Sequence, residues 1–133
     1  MSTSEPAFDR LRFNPQEIVA DDAEGIQLIE QDTVVVEVTG VTNDANDFVT
    51  LPSLARVANG HQIRILCNAG ANFELRTPAS SNEKINTVDS DGTQEALCTD
   101  TDTVVCTKVS ATDGWTCTSF TALGGVRTAV IPD

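Results

Sequence analysis

The single histidine of the chain, His61, is the side chain whose type best suits it to act as a base near neutral pH. A nucleophilic mechanism would also need a serine or cysteine held beside such a base, often on a sharp turn between a strand and a helix. The sequence has no recognisable turn of that kind, and His61 follows Gly60 at the start of a predicted strand. We therefore interpret His61 as a surface residue near a turn, and the sequence predicts no catalytic residue.

Acidic side chains offer a second kind of chemistry, since neighbouring predicted loops contain Asp89, Asp91, Asp100 and Asp102. Two carboxylates at a fixed separation serve glycoside hydrolysis. A carbohydrate cleft normally also has aromatic platforms, and this chain has one Trp and five Phe, most of them at strand positions. Oxygen ligands at alternate positions also occur in calcium loops, but the twelfth-position Glu of an EF-hand is missing. Solvated turns are favoured, and the sequence predicts no enzyme, metal or cofactor.

The four cysteines are Cys67, Cys98, Cys106 and Cys117, and their spacing matches no zinc-binding CxxC pattern. Their neighbours are strand residues, which favours buried thiols in a reducing compartment. One hairpin disulfide is the main alternative, because Cys98 and Cys106 flank a short turn and could face each other across it. A zinc site is a more distant alternative. If the protein leaves the cell, the thiols become candidates for oxidation.

The composition is that of one acidic β domain. The 133 residues include 14 Val and 17 Thr, which both favour strands, and the net charge is −12 with only two Lys. Such a charge repels nucleic acid and anionic membranes. The acidic surface either keeps the protein soluble or binds a basic partner. No run of about 18 apolar residues and no signal-peptide pattern is present. We therefore expect a protein that is made in the cytosol and stays soluble, without membrane insertion.

Two hairpins and several further strands are predicted from alternating apolar residues between turn signals. The first covers residues 103–120, with its reversal at 112–114 and Trp115 opening the return strand. The second joins strands at 61–67 and 73–77, and one helical turn is predicted at 53–57. About eight short strands with turns roughly every ten residues predict a single antiparallel β-sandwich or barrel, jelly-roll-like, over residues 25–133.

Residues 1–24 differ from the rest and predict an extended N-terminal arm. Acids outnumber bases six to two, two prolines interrupt regular structure, and residues 14–17 could form one helical turn. Phe8, Leu11 and Phe13 are too apolar for a tail that contacts nothing. They are expected to dock on another copy of the chain or a larger partner, with packing on their own domain as the open alternative.

A set of short motifs resembles a pattern found in virion proteins of tailed bacteriophages. In order, this chain has Phe48-Val49-Thr50-Leu51-Pro52, Gly60-His61-Gln62-Ile63-Arg64-Ile65, Asn68-Ala69-Gly70, Phe73-Glu74-Leu75-Arg76-Thr77-Pro78, Ile85-Asn86 and Val109-Ser110-Ala111-Thr112-Asp113-Gly114-Trp115. The resemblance covers about residues 48–118. It implies a small β domain on a virion, often trimeric, that acts as a capsid decoration (cement) protein or as an attachment module of a fibre, and it carries over no catalytic residue.

From this resemblance we predict a capsid decoration protein that is made in the host cytoplasm, lies on the capsid surface of the virion and stabilises the phage head. Its predicted partners are the major capsid protein and two further copies of itself, with no nucleic acid and no membrane. Trp115 is predicted to be a structural anchor in the core or between subunits. The alternative is a receptor- or glycan-binding fibre or spike tip domain. The residues predicted to contact the shell are Phe8, Arg10, Leu11, Arg12 and Phe13.

Overall fold

The computed structural model describes residues 15–23, 28–44, 46–89, 95–109 and 114–127, and within these ranges the regular secondary structure is β-strand apart from one 3₁₀ turn. The all-β prediction is confirmed at this level. The described residues contain β1 (Gln16–Ala20), β2 (Val35–Val41), β3 (Phe48–Thr50), β4 (Gln62–Cys67), β5 (Phe73–Arg76), β6 (Lys84–Ile85), β7 (Val88–Asp89), β8 (Ala96–Cys98), β9 (Thr103–Lys108) and β10 (Gly114–Phe120).

The strands form one mixed sheet of seven, in the order β1-β2-β4-β9-β10-β6-β7, and a small sheet of three, in the order β3-β5-β8. β2 is parallel to β1 and β4, β3 is parallel to β5, and β6 is parallel to β10. The prediction of a purely antiparallel arrangement is therefore wrong. From β2 to β5 the chain alternates between the two sheets, with β2 and β4 in the large sheet and β3 and β5 in the small one. Each strand therefore runs in the same direction as the preceding strand of its own sheet. Tight hairpins would instead have given antiparallel neighbours.

One of the two predicted hairpins is confirmed. β9 and β10 pair antiparallel with Trp115 opposite Lys108 and Phe120 opposite Thr103, while the turn at 110–113 lies outside the described residues. The other predicted hairpin is wrong, because β4 pairs with β2 and β9 whereas β5 pairs with β3 and β8. The polar loop between β4 and β5 contains turn-forming residues. Such residues are needed both in a hairpin turn and in a loop that connects two different sheets, so the sequence pattern does not distinguish the two.

One hydrophobic cluster contains side chains from both sheets. In β4 the predicted alternation is confirmed, because Ile63, Ile65 and Cys67 are buried while Gln62 and Arg64 are exposed. The small sheet contributes Val49, Phe73, Leu75, Ala96 and Cys98 to the same cluster. Full burial of a large aliphatic or aromatic side chain contributes roughly 1.5–3 kcal/mol, so this shared core is the main source of stability.

β1 lies at one edge of the seven-stranded sheet, and its residues fall within the arm that the sequence predicts. Gln16 pairs in register with Val36 of β2, so the predicted helical turn at 14–17 is wrong for the residues that the structure describes. The shell-contact residues Phe8, Arg10, Leu11, Arg12 and Phe13 lie outside the described ranges. The division into arm and domain stays a prediction.

The predicted helical turn between β3 and β4 is confirmed as a single 3₁₀ turn at Leu54–Arg56. Charged side chains from distant positions bind both of its ends. Glu83 accepts a hydrogen bond from the Leu54 amide (2.8 Å), and the Lys108 ammonium group donates to the carbonyls of Leu54 (2.6 Å) and Val57 (2.8 Å). These contacts supply side-chain partners for backbone groups at both ends of the turn, and the Lys108 contacts tie the turn to β9.

Candidate functional site

The His61 ring is engaged with the backbone rather than presented to a nucleophile. Its Nε2 lies 3.0 Å from the carbonyl oxygen of Thr33, and because a carbonyl can only accept, Nε2 is the protonated nitrogen. A shallow depression of about 480 Å³ beside it is lined by Val34, Val35, Gly60, Gln62, Arg64 and Val105. The ring therefore braces the segment before β2 against the start of β4.

Asp102, one of the four loop carboxylates, is buried and forms an ion pair with the more exposed Arg127. Its side chain accepts a hydrogen bond from the Ser119 hydroxyl (2.8 Å) and two from the Arg127 guanidinium. The hydrogen-bonded guanidinium holds the pKa of Asp102 below its usual range, against the opposing effect of burial, and the Ser119 hydroxyl lowers it further. The Arg127 amide also donates to the Ser119 carbonyl, so the pair fastens the segment after β10 to the start of β9.

Asp100 has a separate structural role, since its carboxylate accepts a hydrogen bond from the Gly70 amide (3.0 Å). Asp91 and the side chain of Asp89 lie outside the described residues. Within the described ranges, no group of three or more His, Cys, Asp or Glu is placed to hold a metal ion. Sequence reasoning missed Arg127 as the partner of Asp102, and no local signal connects two residues so far apart.

All four cysteines are buried, as predicted, and together we call them the thiol cluster. Cys106 lies directly opposite Cys117 in the β9–β10 pair, and their sulfur atoms are 2.7 Å apart. All four thiols are free in this structure, and the alternative of a Cys98–Cys106 disulfide is not formed, because Cys106 instead faces Cys117 on the neighbouring strand. The neighbouring Cys67 thiol and burial raise the pKa of the Cys98 thiol, and burial and Cys117 raise the pKa of the Cys106 thiol.

Trp115 is 1% exposed and belongs to the hydrophobic cluster. Its indole Nε1 has no hydrogen-bond acceptor among the described residues. The other described aromatic side chains are Phe48 and Phe73, which are buried, and Phe120, which is partly buried. These rings therefore contribute to packing within the domain.

The start of β1 is held by a network around Gln16. The Gln16 amide group donates to the Leu28 carbonyl (2.9 Å) and accepts from the Glu30 amide (2.9 Å). Leu28 is about half exposed and borders an open groove of about 680 Å³, which is also lined by Leu51, Pro52 and Pro78. Segment 28–30 therefore contacts both the groove and the start of β1, which follows residues 1–14 in the chain.

No family model matches the chain, and no curated protein and no solved structure is significantly similar to it. Within the described part of the chain, no helix has the length and apolar character needed to cross a bilayer.

Proposed function

We propose that this chain is a capsid decoration (cement) protein that binds the outer surface of a phage head and stabilises it. The observation that carries the proposal is the position of β1. This edge strand directly follows residues 1–14 and is fixed both by pairing with β2 and by the Gln16 network. A contact made by residues 1–14 would therefore act on the whole sheet rather than on a loose tail.

In this proposal the two sheets pack as a sandwich of jelly-roll type. The shared hydrophobic cluster supports that arrangement, because side chains of both sheets join one core. Each such domain is a rigid block, and three blocks around a three-fold axis would form the proposed trimer.

The proposed shell contacts combine apolar and basic side chains in an otherwise acidic protein. Phe8, Leu11 and Phe13 supply apolar area, and Arg10 and Arg12 supply two of the eight basic residues in the chain. Arg12 would form a bidentate ion pair with a carboxylate of the major capsid protein. Contacts that are weak singly gain strength when repeated over a lattice, so the decorated shell resists the outward pressure of a packaged genome.

The burial of three of the four described aromatic rings makes a fibre tip the second candidate function. A glycan-binding tip is expected to present an exposed aromatic platform, whereas Phe48, Phe73 and Trp115 are all at most 3% exposed. Their area is used inside the domain, which fits a structural block better than a sugar-binding face.

The first test measures copy number on purified virions by quantitative mass spectrometry. A decoration protein is expected at a number fixed by the lattice of the shell, such as a simple ratio to the major capsid protein. A number unrelated to that lattice would contradict the proposal.

The second test uses heads purified from particles assembled without this protein. The wild-type chain is expected to sediment with these heads and to raise the temperature at which they release DNA. A variant with Phe8→Ser, Leu11→Ser and Phe13→Ser should lose at least tenfold in affinity, equivalent to about 1.4 kcal/mol. The matched control is Leu123→Ser, which removes a fully exposed leucine from the turn after β10. Equal loss in both variants, or none in either, would refute the role of the arm.

A further inference from the structure

We infer that Cys106 and Cys117 are a disulfide-forming site, which oxidises when the chain folds in the presence of a low-molecular-weight disulfide such as oxidised glutathione. Their sulfur atoms are 2.7 Å apart, well inside ordinary non-bonded separation, and both side chains are buried. This inference concerns the domain itself and does not depend on binding to a capsid.

The backbone hydrogen bonds of β9 and β10 place the two cysteines in the type of cross-strand position that favours a disulfide. The Cys117 amide donates to the Asn86 side-chain oxygen (2.9 Å), and the Cys117 carbonyl accepts from the Asn86 side-chain nitrogen (2.8 Å). Both backbone groups of Cys117 therefore point away from β9. In an antiparallel pair this makes Cys106 and Cys117 a non-hydrogen-bonded pair, in which side chains approach most closely.

The partner strand agrees with that assignment. Two residues after Cys106, the Lys108 amide donates to the His61 carbonyl and the Lys108 carbonyl accepts from the Gly60 amide. The backbone groups of Lys108, and by alternation those of Cys106, thus face β4 rather than β10. Non-hydrogen-bonded pairs bring Cα atoms to about 4.5 Å, and disulfides accept Cα separations from roughly 4.4 Å upward. A bond between the two sulfurs therefore needs little backbone movement.

Burial decides when the bond forms. The attacking species in thiol–disulfide exchange is the thiolate, and burial raises the pKa of the Cys106 thiol in the folded chain. β9 and β10 also lie inside the seven-stranded sheet, with neighbours on both sides. Oxidation is therefore expected during folding or strand opening, and the finished bond is then shielded from reductants.

The reaction proceeds in two exchange steps. The Cys106 thiolate attacks glutathione disulfide, forms a mixed disulfide and releases one glutathione thiolate. The Cys117 thiolate then attacks the Cys106 sulfur and releases the second glutathione. The two protein thiols give up two electrons to the oxidant and two protons, which the two released glutathione thiolates take up, so the oxidant leaves as two thiols.

Peptide mapping tests the site on the wild-type chain. The protein is refolded with glutathione disulfide, denatured in an alkylating reagent, and digested with trypsin and a protease that cleaves before aspartate. This digestion puts Cys67, Cys98, Cys106 and Cys117 on separate peptides, namely 65–76, 91–99, 102–108 and 113–127. We expect 102–108 joined to 113–127, released by reductant. If both peptides are recovered separately with alkylated cysteines, or if Cys117 is joined to Cys67 or Cys98, the inference is wrong.

Thermal unfolding provides a second readout with a matched control. The bond links two cysteines that are 11 positions apart in the sequence, so the oxidised protein should unfold at a Tm about 10 °C higher than the reduced protein. Cys117→Ala should abolish this difference between oxidised and reduced samples, whereas Cys67→Ala removes an equally buried thiol of the cluster and should retain it. A redox-dependent shift that survives in Cys117→Ala would overturn the assignment to this pair.

Discussion

Asp102 lies in a predicted solvated loop, yet its carboxylate is enclosed by Ser119 and Arg127, which follow 17 and 25 residues later in the chain. A buried carboxylate is costly unless hydrogen bonds and an opposite charge compensate it. Here the opposite charge is that of Arg127, which lies beyond β10, and no pattern in the sequence links that segment to residue 102. The same carboxylate that suggested a calcium loop in the sequence therefore holds the C-terminal segment to the sheet.

Asp102→Asn should lower the free energy of unfolding by about 1–3 kcal/mol at pH 7, because the Arg127 guanidinium loses its charged partner. The lower part of that range is expected, because the Arg127 side chain is 44% exposed and water can solvate its charge when the carboxylate is removed. Urea unfolding measures the change. Glu17→Gln, which neutralises an exposed carboxylate on β1, is the control and should change stability by less than about 0.5 kcal/mol.

The same comparison has a predicted pH dependence. The pKa of Asp102 is lowered by folding, so its contribution is complete above the ordinary aspartate pKa of about 3.9 and is lost as the pH falls through the lower folded-state value. The difference between wild type and Asp102→Asn should be constant from about pH 5 to 7 and should shrink below about pH 4. A difference that grows on acidification would contradict this assignment.

At the scale of elements, Gly114 is required where β10 begins beside β6. A Cβ atom added there would lie 2.4 Å from the Lys84 carbonyl oxygen, a backbone atom that cannot move without displacing β6. Gly114→Ala should therefore cost roughly 1–3 kcal/mol. Gly40→Ala is the control, because its Cβ would meet only Val19 at an ordinary 3.9 Å, and it should change stability by less than about 1 kcal/mol. Equal losses of stability in the two variants, measured by chemical denaturation, would show that the contact with Lys84 does not restrict residue 114 to glycine.

Local patterns were sufficient for some elements and insufficient for others. The alternation in β4 and the β9–β10 hairpin could be predicted, because period-two burial and a short antiparallel return are local properties. The placement of β5 in the small sheet could not, since the loop before it has the same turn-forming residues in either topology. The thiol cluster was predicted as buried, but the Cys106–Cys117 pairing depends on strand register. The arm residues, from Phe8 to Phe13, remain predictions.

At the scale of the whole molecule, two N-terminal truncations should behave differently. Deleting residues 1–14 leaves β1 intact and should change Tm by less than about 2 °C while abolishing binding to undecorated heads. Deleting residues 1–24 removes β1, including the fully buried Ala20, and should lower Tm by more than about 10 °C. Calorimetry on both variants checks this. A large destabilisation by the shorter deletion would mean that residues 1–14 pack on their own domain.

The parallel register of β1 and β2 also has a mechanical consequence. The two strands pair from Gln16 opposite Val36 to Ala20 opposite Val41, with one irregularity after Ile18. Tension applied at Pro15 along the axis of β1 would load these hydrogen bonds together in shear, whereas tension across the sheet would break them one after another. The direction in which the N-terminal chain is pulled therefore sets how much force this edge of the protein withstands.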